Sequence, residues 1–213
     1  VICHACPQHP RLLPARKRDA YVTALHQGEL HPLVGWFERL RLDSEEIDGL
    51  IDSLLAGGVA LVPTLATLEA YIFGTADESE AILPGWPAVP VSAREVTWER
   101  VLRFLRHLNR AGVVLLAGTD APRISVPAGA SLWRELRLLQ HAGLSPQGAL
   151  SAATGASAVC LALDDRGVVA EGRRADLVIL SRDPLAARVT QDDIEAVVVG
   201  GRYVSLRAPK GVG

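Results

Sequence analysis

Polar residues able to do chemistry stand at the ends of short apolar runs along this chain. His4 follows "VIC", His31 lies in "ELHPLV", Thr64 lies near the end of "VALVPTL", and Thr119 and Asp120 close "VVLLAGTD". In a parallel βα fold the C-terminal ends of the strands open onto one mouth, so residues in these places converge. Imidazole and carboxylate are good zinc ligands, and a zinc site with an open position brings the pKa of bound water to about 7. His4, His31 and Asp120 are therefore read as ligands of one divalent metal, with zinc the expected ion and attack by hydroxide the expected chemistry. His26 competes with His31, since both flank the helix stop at Gly28; His31 is preferred because His26 falls inside the helical stretch and His31 follows it.

The other histidines and the cysteines have ordinary structural readings. His9 sits in a Pro-flanked loop, His107 in a charged helix, and His141 at a helix C-terminus, where its charge suits the dipole. Cys3 and Cys6 bracket His4, but a structural zinc site would need a second pair, and only the distant Cys160 is left. A redox pair would want a helix start, which Pro7, Pro10 and Pro14 oppose, and haem attachment would want His where Pro7 stands. The cysteines are read as strand and loop filler.

The elements that must position the candidates alternate. "RKRDAYVTALHQG" reads as a helix stopped at Gly28, "ELHPLV" as a possible strand, and "LDSEEIDGLIDSLLAGG" as a helix with an acidic first turn and an apolar face, followed by the buried strand "VALVPTL". Residues 66–91 have no clean period and many breakers, as in a long loop with a short helix that covers a site; Tyr71, Phe73, Trp86 and the mouth residue Arg123 are the candidates for substrate contact there. "SAREVTWERVLRFLRHLNRAG" opens on a possible capping box of Ser92 and Glu95, and "SPQGALSAATGASAVCLAL" on Ser145 as N-cap with Pro146 at the first helical position. The Val-rich "GVVAEG", "ADLVILS" and "IEAVVVGGRYVSL" suggest a small β domain over 161–213, after βα units over 1–160.

The 213 residues are about half hydrophobic, enough for a sizeable core. With 22 basic against 24 acidic residues the net charge is −2, which leaves no electrostatic footprint for nucleic acid or an anionic membrane and points to a small-molecule ligand. No apolar run approaches the ~20 residues of a membrane helix. Three cysteines form no disulfide framework, and a cytoplasmic location is expected. The chain opens on Val1 within a strand and contains no Met, so a preceding segment is expected.

From about Gly112 to Val204, "VVLLAGTDAP", "VPAGASLWRELRLLQHAGLSPQGALSAATGASAVCLAL" and "GVVAEGRRADLVILSRDPL" resemble the metal-dependent amidohydrolase superfamily, in its imidazolonepropionase-like and Xaa-Pro dipeptidase-like branch. The resemblance implies the second half of a (β/α)8 barrel, strands 5–8, followed by the C-terminal part of a composite β-sandwich. "VICHA" is similar to the fifth strand, "ELHPLVGWFERL" to the sixth and "GVALVPTL" to the seventh, so His4 and His31 would be the imidazole ligands; Asp120 would bind metal and shuttle a proton. Pro32 interrupts the usual sixth-strand pattern and keeps the choice between His26 and His31 open. The first-strand His-x-His and the fourth-strand Lys or Glu of the family's site have no counterpart here.

The resemblance implies hydrolysis of an amide-type C–N bond in a cyclic amide or dipeptide, with Asp120 passing a proton from water to the leaving nitrogen. The rival expectation is a non-catalytic, truncated or accessory half-barrel with an incomplete metal site. Four strands of an open barrel leave two edges, so a complementary N-terminal half is the expected partner, with homo-oligomerisation as the other outlet.

Overall fold

The described strands form two kinds of sheet, one parallel and one antiparallel. The computed structural model describes residues 1–4, 9–74, 85–123, 125–186 and 189–205. A parallel sheet holds β1 (Ile2–Cys3) beside β2 (Leu61–Val62), with Ile2 opposite Leu61 and Cys3 opposite Val62. The apolar run at 113–117 adds a third line on the far side of β2 through a parallel bridge from Leu61 to Leu115. The Leu61 amide donates to Val114 O at 2.9 Å, and Leu116 N donates to Leu61 O at 2.8 Å. Gly118 allows the close approach beyond this bridge, since a Cβ there would overlap Val62.

The helices α1 (Ala15–His26), α2 (Pro32–Arg39) and α3 (Glu45–Ala56) all lie between β1 and β2 in sequence. No strand separates α1 from α2, which corrects the expectation for "ELHPLV". His31 is extended at φ −73° and ψ 132° and caps α2, Pro32 occupies the first turn, and Leu33, Trp36 and Phe37 bury at helical spacing. The expected four parallel strands are thus three among the described residues, and β1 occupies the place beside β2 expected for the segment around His31.

After β2 come α4 (Leu65–Phe73), α5 (Val91–Arg110), α6 (Ala130–His141), α7 (Pro146–Ala153) and α8 (Gly155–Cys160). α4 is a short helix of the kind expected within 66–91, starting at Leu65; Leu65, Ala66, Thr67, Ala70 and Ile72 are buried, an almost wholly apolar stretch whose period its small residues conceal. The Ser92 and Glu95 capping box does not form, because the helix begins two residues earlier, at Val91 with Pro90 as N-cap. Ser145 does cap α7, its Oγ accepting from Gly148 N at 3.0 Å with Pro146 following.

Trp36, Trp86, Tyr21 and Phe104 are the largest fully buried side chains. Trp36 packs edge-on against Phe37 and Phe104, with ring centroids 4.9 and 5.9 Å away, and this joins α2 to α5. Tyr21 reaches from α1 to donate to Pro32 O at 3.1 Å.

The C-terminal residues form an antiparallel sheet of β3 (Leu177–Leu180), β4 (Ile194–Val199) and β5 (Arg202–Ser205), in that order. Gly200 and Gly201, at φ +56° and +81°, make the two-residue hairpin between β4 and β5. "GVVAEG" forms no strand. Among the described residues no helix is long and apolar enough to cross a membrane.

Candidate functional site

The parallel strands end in three polar residues with one unusual backbone conformation. His4, Thr64 and Asp120 have φ of +70°, +52° and +56°, in the left-handed region. Asp and His enter this region more readily than most residues, whereas for β-branched Thr64 it is an outlier. Such backbones cost on the order of 1–3 kcal/mol each and cluster at functional sites.

These ends are wired together. The His4 amide extends the ladder by donating to Val62 O at 2.8 Å, and its Nδ1 lies 3.0 Å from Thr64 Oγ1 in a hydrogen bond. His4 and Asp120 flank the end of β2 from opposite sides, with two strand spacings, roughly 10 Å, between the outer strand axes. The first turn of α4 bridges that span: Thr64 precedes it and bonds His4, while Thr67 within it donates its hydroxyl to the carbonyl of Thr119, next to Asp120. Both Thr64 and Thr67 are buried.

Asp120 is exposed at the mouth and pairs with Arg123, whose Nε and Nη2 lie 2.9 and 2.8 Å from its Oδ2. Arg123 also lies over the Tyr71 ring, 5.9 Å from its centroid, and Tyr71 projects from the second turn of α4. Burial pushes the Tyr71 hydroxyl pKa up, with Arg123 opposing and Asp120 reinforcing the shift. The structure therefore joins three sequence-derived candidates, Tyr71, Asp120 and Arg123, in one cluster.

The other candidates go elsewhere. His31 turns its Nδ1 to its own helix, accepting from Leu33 N at 3.3 Å, and packs its ring edge-on to Trp86 at 4.7 Å. His26 ends α1 and is exposed. Among the described residues no three His, Cys, Asp or Glu side chains come together as a group able to hold a metal ion, so His4, Asp120 and either His31 or His26 do not form the expected ligand set. The donors that fit a divalent ion are the strand-end imidazole of His4 and carboxylate of Asp120, part of a site and not the whole. Trp86 is a core residue whose indole donates to Ile72 O at 3.1 Å; Phe73 is exposed and edge-on to Trp98. Cys3 and Cys160 are exposed free thiols, and Cys6 lies outside the described residues. A cleft lined by α6, α7, Pro184, Leu185, Ala186 and Val189, with Trp133, Arg137 and His141 on its wall, contains none of the strand-end groups.

Sequence reading passed over Glu135. It is fully buried on α6 and accepts from Leu65 N at 3.0 Å and Ala66 N at 2.6 Å, the first two amides of α4. Burial pushes its pKa up to about 7 against the lowering effect of those two amides; Glu69 adds to the rise and Arg134 opposes it. Glu69 and Arg134 themselves pair at 2.6 Å. The signal was in the spacing, since Glu135 falls on the buried line of Ser131, Leu138 and Leu139.

The model of the Amidohydrolase family matches residues 85–205. An imidazolonepropionase from Deinococcus deserti is 33% identical over 136 residues, which are 61% of this chain and 29% of that protein. One from Cutibacterium acnes is 30% identical over 155 residues, 68% of this chain and 38% of that protein. The crystal structure of a Xaa-Pro dipeptidase with bound methionine in the active site aligns at TM-score 0.57 and 19% identity, covering 88% of this chain and 48% of that one. The chain thus spans less than half the length of each of these proteins. With a family model matching more than half of its residues, and with α/β architecture shared with these relatives, the chain belongs to the amidohydrolase family.

Proposed function

We propose that this chain supplies part of the active site of a metal-dependent hydrolase that cleaves an amide-type C–N bond in a cyclic amide or dipeptide. The observation that carries the reading is the placement of His4 and Asp120, both in left-handed backbone at strand ends, His4 bonded to Thr64 at the start of α4 and Asp120 following Thr119, whose carbonyl accepts from Thr67 of α4. The imidazolonepropionase and dipeptidase relatives support the bond type.

His4 and Asp120 are the residues that would hold the divalent ion, zinc by preference. When bound, such an ion supplies Lewis acidity toward water and the amide carbonyl. Asp120 accepts the proton of the attacking water and delivers it to the leaving nitrogen, which must be protonated to depart as an amine. Arg123 and Tyr71 make the cationic and aromatic wall beside it, suited to substrate contact. The hydrogen bond between His4 Nδ1 and Thr64 Oγ1 orients the ring and leaves Nε2 as the nitrogen that would meet a metal.

In the barrel reading, β2 is the seventh strand and 113–117 the eighth. β1 pairs directly with β2, so "VICH" is then the sixth strand rather than the fifth, and the remaining ligands come from outside this chain. Residues 1–160 would be the barrel portion and 161–213 part of a composite sandwich, completed by a complementary N-terminal half, with homo-oligomerisation as the alternative. The exposed thiols of Cys3 and Cys160 suit a cytoplasmic setting.

The test is Asp120→Asn in the complete enzyme, assayed on cyclic amide and dipeptide substrates. The expected result is loss of turnover by 10³-fold or more, on the order seen when an essential acid–base group is removed, with folding retained. Undiminished turnover overturns the reading, and absence of both turnover and stoichiometric metal in the intact complex favours the non-catalytic accessory half.

A further inference from the structure

Thr64 stands where a helix N-cap belongs, and Thr is a good capping residue. It makes no side-chain cap to α4: its backbone is left-handed at φ +52° and ψ +45° where an N-cap is extended, and its Oγ1 meets His4 Nδ1 instead. The first amides of α4 would be left without partners inside the protein, which is costly. Glu135, arriving from α6 and fully buried, takes them instead with both carboxylate oxygens. Burying a carboxylate costs far more than a local Ser or Asn cap would, so the arrangement needs a reason beyond closing one helix end. With those amides held by Glu135, Thr64 can keep its left-handed backbone and its hydroxyl at His4.

The same turn also reaches Asp120. Thr67 donates to the Thr119 carbonyl, and the Ala121 amide returns to Thr119 Oγ1 at 3.3 Å, so the peptide on each side of Asp120 is tied to Thr119 or to α4. The adjacent Arg134–Glu69 pair locks α6 to α4 one turn further along. We infer that Glu135 is a positioning residue for the reaction: by clamping the first turn of α4 it sets the ring of His4 through Thr64 and the backbone of Asp120 through Thr67 and Thr119. This rests on the preceding reading for the roles of His4 and Asp120, while the geometric coupling stands by itself.

The test is Glu135→Gln in the full chain, with any partner that co-purifies, followed by ¹⁵N NMR of backbone amides and of the histidine rings. Gln offers one acceptor oxygen where the carboxylate offers two. The expected result is movement of the Leu65 and Ala66 amides together with the His4 ring nitrogens and the Thr119 and Asp120 amides, while the amide of Ala196 in β4 stays in place. In the complete enzyme kcat falls about 10- to 100-fold with KM within about twofold, the usual cost of losing a group that orients a ligand. Movement confined to Leu65 and Ala66 overturns the inference and leaves Glu135 as a helix cap.

If Glu135→Gln fails to fold, Thr67→Val decides, since it removes only the tie to Thr119. Displaced Asp120 resonances support the clamp, and unmoved ones overturn it. Turnover retained by Asp120→Asn would sink the proposed function but leave the NMR coupling to be judged independently.

Discussion

His4 and His31 have the same side chain and comparable positions after short apolar runs, yet their neighbours separate them. His4 continues a parallel ladder and bonds a buried Thr across it; His31 caps its own helix and lies edge-on to Trp86. His31→Asn keeps an acceptor at the N-cap, so metal content is expected to stay at the wild-type level, with thermal unfolding lowered by the lost contact with Trp86. His4→Asn is expected to lower metal affinity by at least tenfold with little change in unfolding, because the side chain is exposed. Metal analysis by mass spectrometry of both variants in the complete enzyme checks the pair; metal loss in the His31 variant alone would restore His31 as the ligand and remove His4. At Arg123, the pair with Asp120 and the stack on Tyr71 argue for recognition of an anionic or polar substrate group. Arg123→Leu should therefore raise KM more than it lowers kcat, and equal loss in both would mean that Arg123 acts on Asp120 rather than on the substrate.

The helices were legible where apolar residues recur at helical spacing with a stop behind them, as in α3, where Ile47, Ile51 and Leu54 bury behind an acidic first turn. The segment around His31 misled because "ELHPLV" is short and apolar, and short apolar runs fit strand and helix equally; the deciding feature was Pro32, which presets a first helical turn and cannot donate to a ladder. The bounds of the short helix within 66–91 were hidden by composition, since the small buried residues Ala66, Thr67 and Ala70 blur the amphipathic period of α4. The strand-end placement of His4 and Asp120 could be read from the apolar runs before them, but Glu135 could not be assigned a role, because its partners are amides about 70 positions away. At this scale Gly118 is the element joint: its missing Cβ lets 113–117 lie against Val62 of β2. Gly118→Ala is expected to lower stability by about 1–3 kcal/mol, the usual cost of overpacking, and to lower turnover by moving Asp120. Chemical denaturation with an unchanged midpoint would show that the strand end yields freely.

For the whole molecule, Glu135 sets stability and activity against each other along the pH axis. Its folded-state pKa of about 7 lies above the ordinary 4.5, so the folded state holds a proton that the unfolded chain has already released between those values. Stability therefore has its full contribution from this group below about pH 4.5, falls as pH rises, and levels off above about 7; a shift of this size corresponds to about 3 kcal/mol. Glu69 on α4 reinforces the rise and Arg134 on α6 opposes it, so the Glu69–Arg134 pair should move the midpoint if broken. For the clamp inferred above the working form is the opposite one, since the ionised carboxylate is the stronger acceptor from both amides, and protonation weakens one oxygen as an acceptor and gives it a proton to donate. Denaturation measured from pH 5 to 8 should show Glu135→Gln gaining about 3 kcal/mol relative to wild type, while the kcat of wild type rises through pH 7 and the Gln variant loses that rise. Parallel stability curves for the two proteins would mean that Glu135 is already ionised at pH 5, held there by the amides of α4, and that the fold bears the buried charge over the whole range.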